Sequence, residues 1–340
     1  MRTLIAFMLF ALLAGCGGKS DDAPVTTSCP TGGFSNITPL ATNKVVFDSD
    51  RNGTTHEIYV MDANGANVVR LTNDATYQNW WPRISPDRRK ILFYRAPLAN
   101  PESYQHASLW VMNADGTGIT QLRARGEDGW TAQGHGEWSP DGSKIAMFGS
   151  VGAALEIFVT NACGKNPVQY TNRGGVNTDV SWAPNGNVLL FNGCANPSVC
   201  APANYEIYLM PAVPLAPPTQ ITNDSLADYD AYYSPDGTKV AWLVNVDPTA
   251  NVFPGTTTAL GRWAIKIGNV GAPLDTFTYL IDDGNINSKP AWSLDSQTVF
   301  FHRMVPADGY RFRVFSIRPN GTGLTELTPG ATGNSEHPSN

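Results

Sequence analysis

The sequence is short of charge, and of basic side chains in particular. Charged residues are only 15% of the 340, and 23 Lys and Arg against 29 Asp and Glu leave a formal net charge of −6. The basic residues are scattered and form no run, which argues against a nucleic-acid partner. Long apolar runs are missing too: the stretch at residues 3–13 is too short to span a bilayer as a helix. There is no Gly-x-Ser-x-Gly elbow, so a hydrolase domain of the kind built on that motif is not expected. Turn formers, by contrast, are plentiful, with 32 Gly and 25 Pro, as a chain of many short strands requires.

Those turns recur in register. Trp138-Ser139-Pro140-Asp141-Gly142 is the fullest copy of a signature that returns at Ile84-Ser85-Pro86-Asp87-Arg88, Trp182-Ala183-Pro184-Asn185-Gly186, Tyr233-Ser234-Pro235-Asp236-Gly237 and Trp292-Ser293-Leu294-Asp295-Ser296. Successive copies start 44 to 59 residues apart, a supersecondary period. Pro presets the first corner of a turn, Asp or Asn bonds back to the backbone, and Gly accepts positive φ. The aromatic in front is read as a buried strand anchor. An apolar strand follows each copy. A third strand comes next, such as Glu57-Ile58-Tyr59-Val60-Met61, and then a short fourth. Four antiparallel strands in a meander make one propeller blade.

Residues 1–15 read as an export signal, with Arg2 before the apolar run. Leu13-Ala14-Gly15-Cys16 resembles the lipobox of bacterial lipoproteins, which implies cleavage before Cys16 and lipid on its thiol; the alternative is an ordinary secretory signal with an incidental Cys. Gly17 in place of Asp implies the outer membrane, at its periplasmic face. Residues 16–38 form a Gly-, Ser- and Thr-rich tether, and 39–340 the propeller. Gly18-Lys19-Ser20 is rejected as a phosphate loop because Leu13 stands where the first Gly belongs. Four cysteines remain in an oxidising compartment. Cys194 and Cys200 bracket one insertion and are expected to pair; Cys29 and Cys163 are the further pair, or else two free thiols.

Six sets of second-to-fourth strands begin near Lys44, Lys90, Lys144, Val188, Lys239 and Thr298. The first set lacks a preceding signature strand, and the chain ends on what looks like one, Glu336-His337-Pro338-Ser339-Asn340. The expected fold is therefore an all-β, six-bladed propeller closed by the C-terminal strand completing the first blade. Units of the form Ser-Pro-Asp-Gly, Lys-Ile-Ala and Glu-Ile-Tyr-Val-Met-Asp-Ala-Asn-Gly resemble the WD-like repeats of the TolB propeller family over about residues 44–340. TolB proteins carry an N-terminal α/β domain that has no counterpart in these residues. Docking to TolB's usual peptidoglycan-associated partner does not follow from the resemblance.

Three residues before each signature aromatic, where such strands approach the central channel, stand Trp81, His135, Asp179, Asp230, Lys289 and His337. Imidazoles and carboxylates on one axis could bind a polar ligand or a divalent metal. They could equally bond neighbouring turns around a water-filled channel. Oligogalacturonate lyases, related propellers, hold a metal near this slot with more histidines than this chain supplies. Asp48, Asp50 and Asn52 match the opening half of a calcium loop, but Tyr59 occupies its last ligand position, and a hairpin turn explains the run equally. His56-Glu57 begins like a zinc-protease helix yet lies in a strand, with Val60 at the second His position. Exposed aromatics are expected within residues 77–81, 128–130 and 251–263. The expected function is a non-catalytic, monomeric scaffold without a cofactor, binding an envelope protein or glycan and touching the membrane through its lipid alone. The alternative is a metal-dependent polysaccharide-active enzyme using the channel mouth.

Overall fold

The computed structural model describes residues 37–53, 55–194, 205–250 and 261–340. Six four-stranded antiparallel sheets form a propeller. The first blade holds β1 (Lys44–Ser49), β2 (Glu57–Asp62) and β3 (Val69–Arg70). The second holds β4 (Tyr77–Ile84), β5 (Lys90–Pro97), β6 (Ser108–Asn113) and β7 (Thr120–Arg123), and the third β8 (Gln133–Trp138), β9 (Lys144–Val151), β10 (Ala154–Asn161) and β11 (Val168–Gln169). The fourth holds β12 (Asn177–Trp182), β13 (Val188–Cys194), β14 (Tyr205–Pro211) and β15 (Thr219–Gln220), and the fifth β16 (Ala227–Tyr233), β17 (Lys239–Asp247), β18 (Arg262–Asn269) and β19 (Thr278–Ile281). The sixth holds β20 (Asn287–Trp292), β21 (Val299–Val305), β22 (Arg311–Ile317) and β23 (Thr325–Glu326). Finally β24 (Ser335–Ser339) pairs antiparallel with β1 and completes the first blade, as the sequence predicts.

The middle strands read as nearly unbroken apolar runs because both their faces are covered. Val45 and Phe47 of β1 pack on Phe300 and Val314 of the sixth blade, while Val46 between them packs on Ile91 and Phe93 of the second. Each such fully buried side chain contributes about 1.5–3 kcal/mol. The core is accordingly a set of seams between blades. The outermost strands have a neighbour on one edge only, and they stay short and partly exposed, as at Val69 and Val168.

The signature turns are held by one hydrogen-bond pattern. Ser85, Ser139, Ser234 and Ser293 each donate Oγ–H to the Asp two residues on, at 2.6 Å in every case. Each Ser Oγ in turn accepts the backbone N–H of the residue five positions on, at 2.9 Å. The fifth position is left-handed throughout: Gly142, Gly186 and Gly237 lie at φ 70°, 72° and 71°, and Arg88 and Ser296 adopt φ 59° in the same place. Three of the signature tryptophans reach back to the preceding blade. Trp138 Nε1 donates to Arg83 O, Trp182 Nε1 to Glu137 O and Trp292 Nε1 to Tyr232 O, at 3.4, 3.3 and 3.1 Å. The signature aromatic is thus a tie between blades; Trp138 and Trp182 are only half-buried.

Every innermost strand carries one interruption of its ladder. The register breaks between Trp80 and Arg83, Gly134 and Glu137, Thr178 and Ser181, Tyr229 and Tyr232, and Ser288 and Ala291. On β1 opposite β24 it breaks between Val46 and Asp48. These are β-bulges, which re-aim a side chain at the cost of one ladder position.

Candidate functional site

The six residues selected from the sequence are the six bulge residues. Trp81, His135, Asp179, Asp230, Lys289 and His337 have φ of 58°, 52°, 50°, 50°, 57° and 48°, a left-handed conformation that is uncommon for any of these types and an outlier for Trp. Each turn of the backbone swings one side chain toward the propeller axis. Such strained residues persist only where the surroundings over-determine them.

Around the axis these side chains engage one another. The Trp81 ring stacks on His135 with centroids 4.3 Å apart and planes at 11°, and His337 lies tilted against it at 4.8 Å. Lys289 Nζ sits 3.7 Å over the Trp81 ring and 2.9 Å from Asp230 Oδ1, and it also meets the Tyr232 hydroxyl. His135 Nε2 bonds the Tyr104 hydroxyl, while its Nδ1 faces both the carboxylate and the backbone N–H of Asp179. Beside this layer Arg83 pairs with Glu137, which also accepts from the Tyr232 hydroxyl at 3.2 Å, and the Arg83 guanidinium lies 4.7 Å from the Trp81 centroid. Burial pushes the Lys289 ammonium down to about 7, with Asp230 opposing and Arg83 adding to the push. Burial, aided by Lys289 and Arg83, likewise holds His135 far below the ordinary imidazole range and therefore neutral.

A second, acidic cluster adjoins the first at the seam of blades one and two. Asp48, at the end of β1, accepts from His337 Nδ1 through Oδ1 and from His56 Nδ1 through Oδ2, both at 2.8 Å. Burial opposes its ionisation, but the charge of His337 and the hydrogen bonds from both imidazoles more than reverse this and hold it below the carboxylate range. His56 is buried as well; burial disfavours its charge, yet Glu102 and Asp48 raise it well above the ordinary imidazole value. Glu102, from the loop joining β5 to β6, brings Oε1 to 3.4 Å from His56 Nδ1. Burial pushes Glu102 and Glu336 upward; His56 opposes it in both, Asp48 and Asp50 reinforce it in both, and Glu102 adds to it at Glu336. Ligand atoms of Asp48, His56 and Glu102 lie within 4.8 Å of one another, the donor set among the described residues that could hold a metal.

The half calcium loop is not drawn together in this way. Asp48 turns to the two histidines, Asp50 Oδ1 accepts the backbone N–H of Asn334, and Asn52 lies exposed at the hairpin. The expectation of exposed aromatics is corrected: Trp80, Trp81 and Trp130 are buried, the first two turned inward by the bulged strand and the third covered by Phe158 and the Arg123 guanidinium. Residues 251–260 of the third segment lie outside the described residues, and Trp263 beside them is buried. Cys16, Cys29 and Cys200 are also outside them, while Cys163 and Cys194 are buried. Among the described residues no helix is long and apolar enough to cross a membrane. Sequence reasoning passed over His56, Glu102, Tyr104 and Glu336. His56 precedes a strand and resembles a zinc-protease motif only in its first two residues, and Glu102 and Tyr104 sit in an insertion that carries no repeat signal.

No protein-family model and no curated protein matches this chain. Solved structures do. TolB from Acinetobacter baumannii superposes with a TM-score of 0.66 at 15% identity, covering 90% of this chain and 68% of that one. A putative TolB from Agrobacterium tumefaciens gives 0.57 at 15% identity over 86% and 96%, and hydrazine synthase from Kuenenia stuttgartiensis 0.62 at 14% over 87% and 46%. At these identities the likeness is one of fold, and the fold is a TolB-like six-bladed propeller.

Proposed function

We propose that this chain is a cell-envelope lipoprotein whose propeller is a non-catalytic docking scaffold for an envelope protein or a glycan. In this reading the lipid sits on Cys16, residues 16–38 tether the propeller to the outer membrane at its periplasmic face, and the propeller is a monomer that presents its mouth or rim. Cys194 with Cys200, and Cys29 with Cys163, are the disulfides that would staple it. The observation that supports the scaffold reading is the commitment of the axial residues to one another. His135 is held neutral between Tyr104 and Asp179, Lys289 is taken up by Asp230 and Tyr232, and His337 by Asp48. Groups so engaged lock blades together and are poorly placed to serve as a general base or nucleophile.

Crosslinking with mass spectrometry on intact envelopes tests the reading. A reproducible protein or glycan adduct on the rim, lost when Cys16→Ser releases the chain from the membrane fraction, is the expected result. Turnover of an acidic polysaccharide that disappears on His135→Ala, with the fold intact, would replace the scaffold with the enzyme.

A further inference from the structure

We propose that Asp48, His56 and Glu102 form a binding site for a first-row divalent metal ion of the Zn²⁺ or Mn²⁺ class, at the seam between the first and second blades. The spacing of the donors is the first observation. His56 Nδ1 stands 2.8 Å from Asp48 Oδ2 and 3.4 Å from Glu102 Oε1. Nitrogen and oxygen donors that share one ion at about 2.0–2.2 Å are themselves roughly 3–3.5 Å apart; the two separations to His56 Nδ1 are already in or near that range, and the whole set, within 4.8 Å, draws closer to seat the ion. The mixture of one imidazole with carboxylates suits these ions; calcium prefers an all-oxygen shell.

The second observation concerns the Glu102 oxygen itself. Glu102 Oε1 is buried and accepts no hydrogen bond, although its side chain is only 10% exposed and is directed at His56 Nδ1. A buried carboxylate oxygen without a donor is costly unless a cation completes it. The backbone of Glu102 is itself left-handed, at φ 52°, so the loop spends conformational strain to bring this carboxylate in.

The surroundings fit a cation. Asp48, Glu102 and Glu336 are enclosed together, with Asp50 adding negative charge beside the last two; in the metal-free state His56 Nδ1 shares its proton with Asp48 Oδ2, and the incoming ion takes that proton's place, so binding releases it. Donation from His337 Nδ1 to Asp48 Oδ1 fixes that carboxylate with Oδ2 turned toward His56. This is the usual arrangement by which a hydrogen-bonded neighbour orients a metal-ligating group. The metal proposal stands apart from the docking reading above, since it needs no partner.

The test uses the mature, full-length protein, stripped with chelator and titrated calorimetrically with ZnCl₂ and with MnCl₂, with metal content checked by mass spectrometry. One ion per chain is expected, with a metal-dependent rise in Tm. Glu102→Gln and His56→Gln should each weaken binding at least tenfold, whereas Asp179→Asn, on the far side of Trp81, should leave it unchanged. Absence of stoichiometric binding, or undiminished binding in folded Glu102→Gln, overturns the site. Binding lost in Asp179→Asn but kept in Glu102→Gln would move the ion to the axis and overturn it equally.

Discussion

Replacing Asp228 with Asn should stabilise the protein at alkaline pH and do little in acid. In the first blade Glu57 takes the Thr72 hydroxyl and, at 2.8 Å, the amide of Asn79 from the next blade. The third blade repeats this with Glu156, Thr171 and Asn177, the amide donating at 3.1 Å. In the fourth, Glu206 takes the Thr222 hydroxyl at 2.6 Å, but the residue facing it from the fifth blade is Asp228, which has no amide hydrogens to give. Asp228 is fully buried and accepts Trp242 Nε1 on Oδ1 at 2.9 Å, while its Oδ2 has only the Thr222 hydroxyl nearby, which is donated to Glu206. Burial, reinforced by Asp224, pushes its carboxyl up from 3.8 to about 7.

The sign follows from linkage. A carboxyl that holds its proton more tightly when folded contributes most below pH 3.8, and that contribution is lost as the pH climbs through the folded value near 7. A shift of about three units corresponds to at most about 4 kcal/mol at pH 8. Asn keeps an oxygen for Trp242 and turns an amide toward Glu206. It should therefore recover about 1–3 kcal/mol at pH 8, or roughly 1.5–5 °C in Tm for a chain of this size. Urea denaturation of parent and Asp228→Asn at pH 8 and pH 4 measures this directly. A variant less stable than the parent at pH 8, or a gain of equal size at both pH values, would refute the reasoning.

Other expectations follow from the same geometry. Deleting residues 333–340 removes β24, whose five residues are all buried, and reopens the edge of β1; scanning calorimetry should show a Tm lower by about 10 °C or more. Trp182→Phe keeps an aromatic ring but loses the indole N–H bond to Glu137 O and part of the packing, which should cost about 1–2 kcal/mol in equilibrium unfolding. At Gly149 an added Cβ would lie 2.6 Å from the Trp130 ring, so Gly149→Ala should cost about 1–3 kcal/mol and alter the near-ultraviolet signal of that indole.

What could be read from the sequence, and what could not, divides by the distance over which the residues act. The strands, turns and closure were legible because each blade repeats a local instruction: Ser-Pro-Asp builds its own turn within five residues, whatever surrounds it. The axial slot was legible for a related reason. A bulge at a fixed offset from the turn aims one side chain inward in every blade, so counting back three residues finds Trp81, His135, Asp179, Asp230, Lys289 and His337 whatever their chemistry. That same independence left the chemistry unread. Whether His135 faces a base, an acid or a ring depends on Tyr104, which comes from an insertion in the neighbouring blade.

Asp48 shows the limit most sharply. Read beside Asp50 and Asn52 it suggests a calcium loop, because sequence proximity supplies those partners. In the folded chain β1 ends at Ser49, Asp50 leaves to bind Asn334, and Asp48 is claimed by His337, 289 positions away, through the clasp. The strand that closes the ring therefore also assembles the acidic nest, since β24 brings Glu336 and His337 against Asp48. Removing β24 should then abolish metal binding even at temperatures where the remaining blades stay folded. Calorimetric titration of the truncated protein well below its melting point checks this coupling, and ion binding at parental affinity there would show that the nest forms without the clasp.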